Sequence, residues 1–161
     1  MDEVPVWLDP LRKSANGLGF SRLGIAPAVS ATGFTNLVKW IDRGYAAGMD
    51  YFSSRLDAYQ HPDGVMPGTK SIIVLTHPYP QARRSHLRSN RGNVARYVWP
   101  GPDYHDVIHK KLKQLRRLIL EQAPDTRIRG CIDTAPLLER EIAHRAGLGW
   151  RGKNTLLLNR E

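Results

Sequence analysis

The stretch Gly147-Leu148-Gly149-Trp150-Arg151-Gly152 fits the dinucleotide fingerprint G-x-G-x-x-G letter for letter. Its surroundings decide what kind of fold the chain adopts. A glycine loop that grips a pyrophosphate follows a strand and opens a helix, so that the phosphates rest on the helix's first amides. Here PLLEREIAHRAG (136–147), a helical stretch, comes before it, and NTLLLN (154–159), a strand-like one, comes after. The order is reversed, and Trp150 and Arg151 fill positions where phosphates need clearance. Gly147 therefore reads as a helix terminator, and the stretch as a helix-to-strand connection.

Working outward, VWLDPLRKSANGLGF (6–20) begins as a short amphipathic helix, with Gly17 as the expected left-handed terminator. SRLGIAP (21–27) reads as a strand, TNLVKWIDRGYAAG (35–48) as a helix, and residues 49–70 as a loop-rich connection broken by Pro62, Gly64, Pro67 and Gly68. SIIVLTHPYP (71–80) reads as a strand, a β-branched run closed by prolines, and NVARYVW (93–99) as a further one. YHDVIHKKLKQLRRLILEQA (104–123) is an amphipathic helix with Ile108, Leu112, Leu115 and Ile119 on its buried face. TRIRGCID (126–133) reads as a strand that ends at Asp133. Strands and helices alternate, which predicts an α+β or α/β domain around one sheet.

The totals fit one folded domain. The chain has 161 residues, 41% of them hydrophobic, and no apolar run approaches membrane-spanning length. No secretory signal opens it, so the cytoplasm is the expected location, with no membrane association. Cys131 is the one cysteine, which excludes an internal disulfide and any metal site built from cysteines alone. Lys and Arg number 24 against 15 Asp and Glu, a net charge of +9. That balance suits a polyanionic partner, nucleic acid first, and equally suits mere solubility.

Four patterns carry candidate chemistry. His105 and His109 imitate the zinc-protease spacing, but Asp106 stands where a glutamate is needed and no third ligand follows. Arg83, Arg84, Arg88, Arg91 and Arg96 form a basic stretch that could grip phosphates or remain a solvated loop. Asp133 falls just before a helix, where it is either a general acid shielded by apolar neighbours or the helix N-cap. Lys153 and Asn154 offer polar groups beside an apolar strand, or form an ordinary glycine turn.

GPDYHDVIHKKLKQL (101–115), CIDTAPLLEREIAHRAGLGWRGKNTLLLN (131–159) and AYQHPDGVMPGTKSIIVL (58–75) together resemble the N-terminal, cobalamin-binding domain of the epoxyqueuosine reductase family. The resemblance covers essentially the whole chain, residues 1–161, as a single domain. It implies a nitroreductase-like α+β fold with one mixed sheet flanked by helices. It implies an oxidoreductase that reduces epoxyqueuosine to queuosine at the tRNA wobble position, with base-off cobalamin fed by two [4Fe–4S] clusters. Asp133 aligns with the family's proton donor. Arg96, Lys153, Asn154, Thr155 and Leu157 take positions that imply cofactor contact. Asp103, Tyr104 and His105 take positions near cofactor or substrate. The tRNA anticodon loop is the implied partner of a monomeric protein. Two departures stand out. Tyr59 and Gln60 lie where many members carry an arginine. The family's cysteine-rich ferredoxin-like domain, which holds the clusters, is not in this sequence, so a truncation before that domain is expected. The alternatives are a non-catalytic tRNA-binding remnant and the corrin domain of a reductive dehalogenase-like enzyme.

Overall fold

The structure is a computed structural model, and it describes residues 6–78 and 101–160. NVARYVW, the basic stretch and Arg96 lie outside the described residues. In chain order the elements are α1 (Leu8–Gly17), β1 (Arg22–Pro27), α2 (Phe34–Asp42), α3 (Leu56–Gln60), β2 (Ser71–Thr76), α4 (Tyr104–Gln122), α5 (Glu139–Arg145), β3 (Trp150–Arg151) and β4 (Leu157–Leu158). Helices and small sheets mix, as an α+β class requires. Among the described residues the strands form two two-stranded sheets, β1–β2 and β3–β4, rather than one mixed sheet. No helix among the described residues is long and apolar enough to cross a membrane.

The chain divides into two compact units. One is Met1–Ser21 with Thr76–Ile132, and the other Arg22–Leu75 with Asp133–Glu161. In the first, α1 buries Leu8, Leu11 and Ala15, and α4 buries Leu115 and Ile119 on the face its periodicity marks. Ile108 and Leu112, on the same face, are half-buried. α1 ends at Gly17 as expected, but Gly17 is its last helical residue and not the left-handed terminator; Gly19 takes the left-handed conformation at φ +86°. The amide of Gly19 donates to Asn16 O at 2.8 Å and that of Phe20 to Ala15 O at 3.0 Å. This paired closure delivers Phe20 into the core at 3% exposure. Burial of the phenyl ring selects the second glycine over the first.

The second unit repeats the device. Gly147, at φ +74°, donates to His144 O at 3.0 Å, and Leu148 donates to Ala143 O at 3.0 Å. Leu148 is then buried at 4% exposure. Gly147 is thus the helix terminator its context predicts. Gly149 is required for a different reason: a Cβ there would lie 2.1 Å from Leu158 O, across the β3–β4 pairing of Trp150 with Leu158 and Arg151 with Leu157. The fingerprint match therefore has structural causes unrelated to phosphate binding.

α5 is fixed to its unit by Glu141, which is 8% exposed. Its Oε1 accepts from Thr32 N at 2.7 Å and its Oε2 from Gly33 N at 2.8 Å. Gly33 is the N-cap of α2 and has no side chain to cap it. The carboxylate on α5 thus satisfies the first amides of α2. Arg145, one turn along, donates to Oε1 at 2.7 Å. Burial alone would raise the Glu141 pKa. The Thr32 and Gly33 amides, the Thr32 side chain and Arg145 outweigh it and hold the carboxyl below its usual value.

The stabilisation from a depressed carboxyl is complete above its unfolded pKa and is lost as pH falls through the folded value. Acidification below the usual 4.5 should therefore loosen the α2–α5 attachment. Glu141→Gln places an amide N–H2 against backbone donors, and should reduce stability by about 2–3 kcal/mol at pH 7. Chemical denaturation as a function of pH checks both points. The variant should also lose part of the wild-type acid dependence.

Candidate active site

The stretch 126–133, read above as a strand, is not one. Residues 126–132 carry no regular secondary structure and run into a turn at Asp133 and Thr134. Alternating apolar and charged residues report extended backbone, and do not by themselves build a ladder. α5 begins at Glu139 with Leu138 as its N-cap, so Asp133 does not cap it. Asp133 is exposed, and the expected shielding by apolar neighbours is absent.

The carboxyl with a raised pKa is Glu139, which the sequence reading missed. Enough protein surrounds this surface residue that desolvation lifts its pKa above 4.5; the Asp133 carboxylate adds to the rise, and Arg140 opposes it. The structure thus brings Asp133 and Glu139 within electrostatic reach. Tyr59 belongs to the same group. It is 9% exposed, and its phenol is raised first by burial, then by Tyr51 and Glu139. Its ring packs on Phe52 with centroids 5.6 Å apart. Tyr59, near where the resemblance implies an arginine, is a core aromatic, and Gln60 contributes its backbone carbonyl to Ala31 N at 2.9 Å.

The β3–β4 turn holds the other predicted residues. Arg140 Nη1 donates to Thr155 O at 2.7 Å and lies 3.0 Å from Thr155 Oγ1. Asn154 Oδ1 accepts from Leu156 N at 3.2 Å. Lys153, Asn154 and Thr155 are exposed, and Leu157 is half-buried on β4. No hydrogen bond or ion pair among the described residues engages the Lys153 ammonium. Trp150, Leu156 and Leu158 are 45%, 54% and 36% exposed, leaving an uncovered apolar surface on the same hairpin.

In the other unit, Asp103 caps α4 through His105 N at 2.9 Å and contacts His105 Nδ1 at 2.8 Å. These bonds hold the Asp103 carboxyl below its usual value. Tyr104 stacks on the His105 ring at 4.1 Å between centroids. His105 and His109 gain no third metal-ligating side chain among the described residues. The same unit contains a pair no sequence pattern flagged: Lys111 Nζ lies 2.6 Å from His77 Nε2, with Phe20 edge-on to the imidazole. Burial, then Lys111, keeps the His77 pKa below 6.5.

Cobalamin, the cofactor the resemblance implies, presents a broad apolar ring rimmed by amides. The hairpin fits such a group: Leu156, Leu158 and Trp150 offer apolar area, and Lys153, Asn154 and Thr155 offer polar contacts at the turn. An iron–sulfur cluster does not fit these residues. It needs several thiolates, and Cys131 is the single cysteine.

An α+β domain with an acid-bearing turn and a polar hairpin turn on one short helix is the class these features define. The profile of the family described as Epoxyqueuosine reductase QueG, DUF1730 matches residues 60–134. An epoxyqueuosine reductase from Cyclobacterium marinum is 37% identical over 152 residues, 93% of this chain and 48% of that protein. An epoxyqueuosine reductase structure from Bacillus subtilis, with its aspartate-bearing catalytic loop swung out of the active site, gives a TM-score of 0.80 at 27% identity, over 95% of this chain and 41% of its own. A crystal structure of epoxyqueuosine reductase with an epoxyqueuosine-modified tRNA-Tyr stem loop gives 0.78 at 30% identity, over 92% and 40%. The chain is related to the epoxyqueuosine reductase family over almost its whole length. It spans less than half the length of these relatives.

A carboxyl whose folded pKa is raised carries stabilisation that is complete below its unfolded value and lost as pH rises through the folded one. Glu139→Gln should therefore raise the thermal midpoint at pH 7 and shift it much less at pH 4, where the glutamate is mostly neutral. Melting curves at the two pH values check this.

Proposed function

We propose that the chain is the cobalamin-binding, N-terminal part of an epoxyqueuosine reductase acting on the wobble position of tRNA, with Asp133 as proton donor. One observation carries the reading. The turn bearing Asp133 lies within electrostatic reach of Glu139 on α5, and the turn bearing Lys153 and Asn154 is hydrogen-bonded to Arg140 on the same helix through Thr155. An acid and a polar cofactor edge thereby flank one short helix. The exposure of Asp133 agrees with a relative whose aspartate loop is named catalytic and has a swung-out position. The relative bound to a modified tRNA stem loop supports tRNA as the partner, and the net charge of +9 suits a polyanion.

Reduction of an epoxide to an alkene breaks two C–O bonds, forms C=C and releases the oxygen as water. It consumes two electrons and two protons. Bound cobalamin would supply the reducing chemistry, fed by clusters held outside these residues. The chain's own part is to hold the ring at the hairpin and to bring one proton to the departing oxygen from the Asp133 carboxyl. The second proton comes from solvent. Lys153, Asn154 and Thr155 are assigned the polar rim, Leu157 the apolar edge, and Arg96 a further cofactor contact.

The purified chain mixed with hydroxocobalamin should retain the corrin on gel filtration and shift its visible spectrum on reduction. Loss of the corrin on the column, together with salt-sensitive tRNA binding, would favour a non-catalytic RNA-binding module instead. In an enzyme carrying this chain with the remaining length of its relatives, Asp133→Asn should slow the chemical step by roughly 100-fold or more and leave cobalamin bound. Full activity in that variant would remove Asp133 from the mechanism.

A further inference from the structure

We propose that Arg140 is a positioning residue: it clasps Thr155 and so holds the Gly152–Leu156 turn in the shape that presents Lys153 and Asn154 to a bound ligand. The inference rests on the reading above for the identity of the ligand, a corrin with its amide rim, and on the structure for the clasp itself.

Thr155 has φ +66°, a left-handed conformation that β-branched residues rarely adopt. Such outliers persist where surrounding bonds over-determine them, and often mark functional sites. Within the turn, Gly152 N donates to Leu156 O at 2.9 Å, Thr155 N to Gly152 O at 3.0 Å, and Leu156 N to Asn154 Oδ1 at 3.2 Å. These are the turn's internal bonds. The external restraint is Arg140 Nη1, at 2.7 Å from Thr155 O and 3.0 Å from Thr155 Oγ1. The residue in the strained conformation is thus the one whose carbonyl and hydroxyl are both held from α5. The bond from Leu156 N engages Asn154 Oδ1 and leaves the side-chain amide N–H groups for a ligand acceptor, while Lys153 keeps its ammonium unengaged among the described residues. A ligand meeting both groups needs them ordered beforehand, since ordering on contact weakens binding.

The test uses the 161-residue chain, with hydroxocobalamin as probe and amide hydrogen exchange as a second readout. Arg140→Ala should speed exchange at Gly152, Thr155 and Leu156 without ligand, and weaken hydroxocobalamin binding about tenfold. Arg140→Lys should fall between it and wild type, and serves as the test variant if the alanine form does not fold. Glycine adopts positive φ without strain and lacks the hydroxyl. Glycine at 155 keeps the carbonyl that accepts from Arg140 Nη1 but loses the hydroxyl and the strain, so in a Thr155→Gly background removing Arg140 should weaken binding less than it does with threonine. Unchanged exchange in both Arg140 variants overturns the clasp. An equal or larger loss with glycine at 155 also overturns it, because holding the strained threonine would then not be what Arg140 does. If exchange responds as expected but wild type does not bind hydroxocobalamin, the clasp stands and the cobalamin reading falls.

Discussion

The buried carboxylate of Glu141 is the constraint on which the site's geometry depends. α5 has seven residues, too few to be stable by itself. It is held because Glu141 accepts from the Thr32 and Gly33 amides, which α2 otherwise leaves unsatisfied, and from Arg145. Once α5 is fixed, the two residues before Glu141 are fixed with it. Glu139 faces the field of Asp133, and Arg140 reaches Thr155. Of three consecutive side chains, Arg140 and Glu141 attach the short helix to the hairpin turn and the core, while Glu139 faces the acid-bearing turn.

Glu139 and Glu141 show how environment separates chemically identical groups. Desolvation acts on both. At Glu141 backbone amides and a guanidinium reverse it, and the carboxylate keeps its charge to lower pH than usual. At Glu139 a neighbouring carboxylate reinforces it, and the result is a group that holds its proton more readily than usual. A difference of two positions decides the direction of the shift.

The segments where sequence was sufficient are those with local causes. The helix over 104–123 and the strand that opens at Ser71 follow from periodicity and β-branching; the helix ends one residue before its expected bound, and the strand ends at Thr76, ahead of the prolines expected to close it. Gly147 terminates its helix because the context on either side leaves no other role. The errors have non-local causes. Gly17 and Gly19 are equivalent as letters, and only the burial of Phe20 distinguishes them. TRIRGCID alternates like a strand but runs into the turn at Asp133 without becoming one. Glu139 was passed over because its raised pKa arises from the protein packed around it, and Glu141 because its partners lie 108 and 109 residues away. Asp133 and the Lys153–Asn154 turn stand out from their sequence positions and again by resemblance, while the bonds from Arg140 to Thr155 are visible only in three dimensions.

The hairpin's fastening has a kinetic side. Arg140 to Thr155 spans 15 residues, and His144 Nδ1 to Gly149 O, at 2.8 Å, spans 5. The Glu141 anchor closes a loop of more than a hundred residues. Loop closure of that length carries an entropic penalty that short contacts avoid, so rapid local assembly precedes slow long-range docking. The segment from α5 to β4 can therefore take its shape early on the folding route and wait, already formed, for the rest of the unit to gather around it.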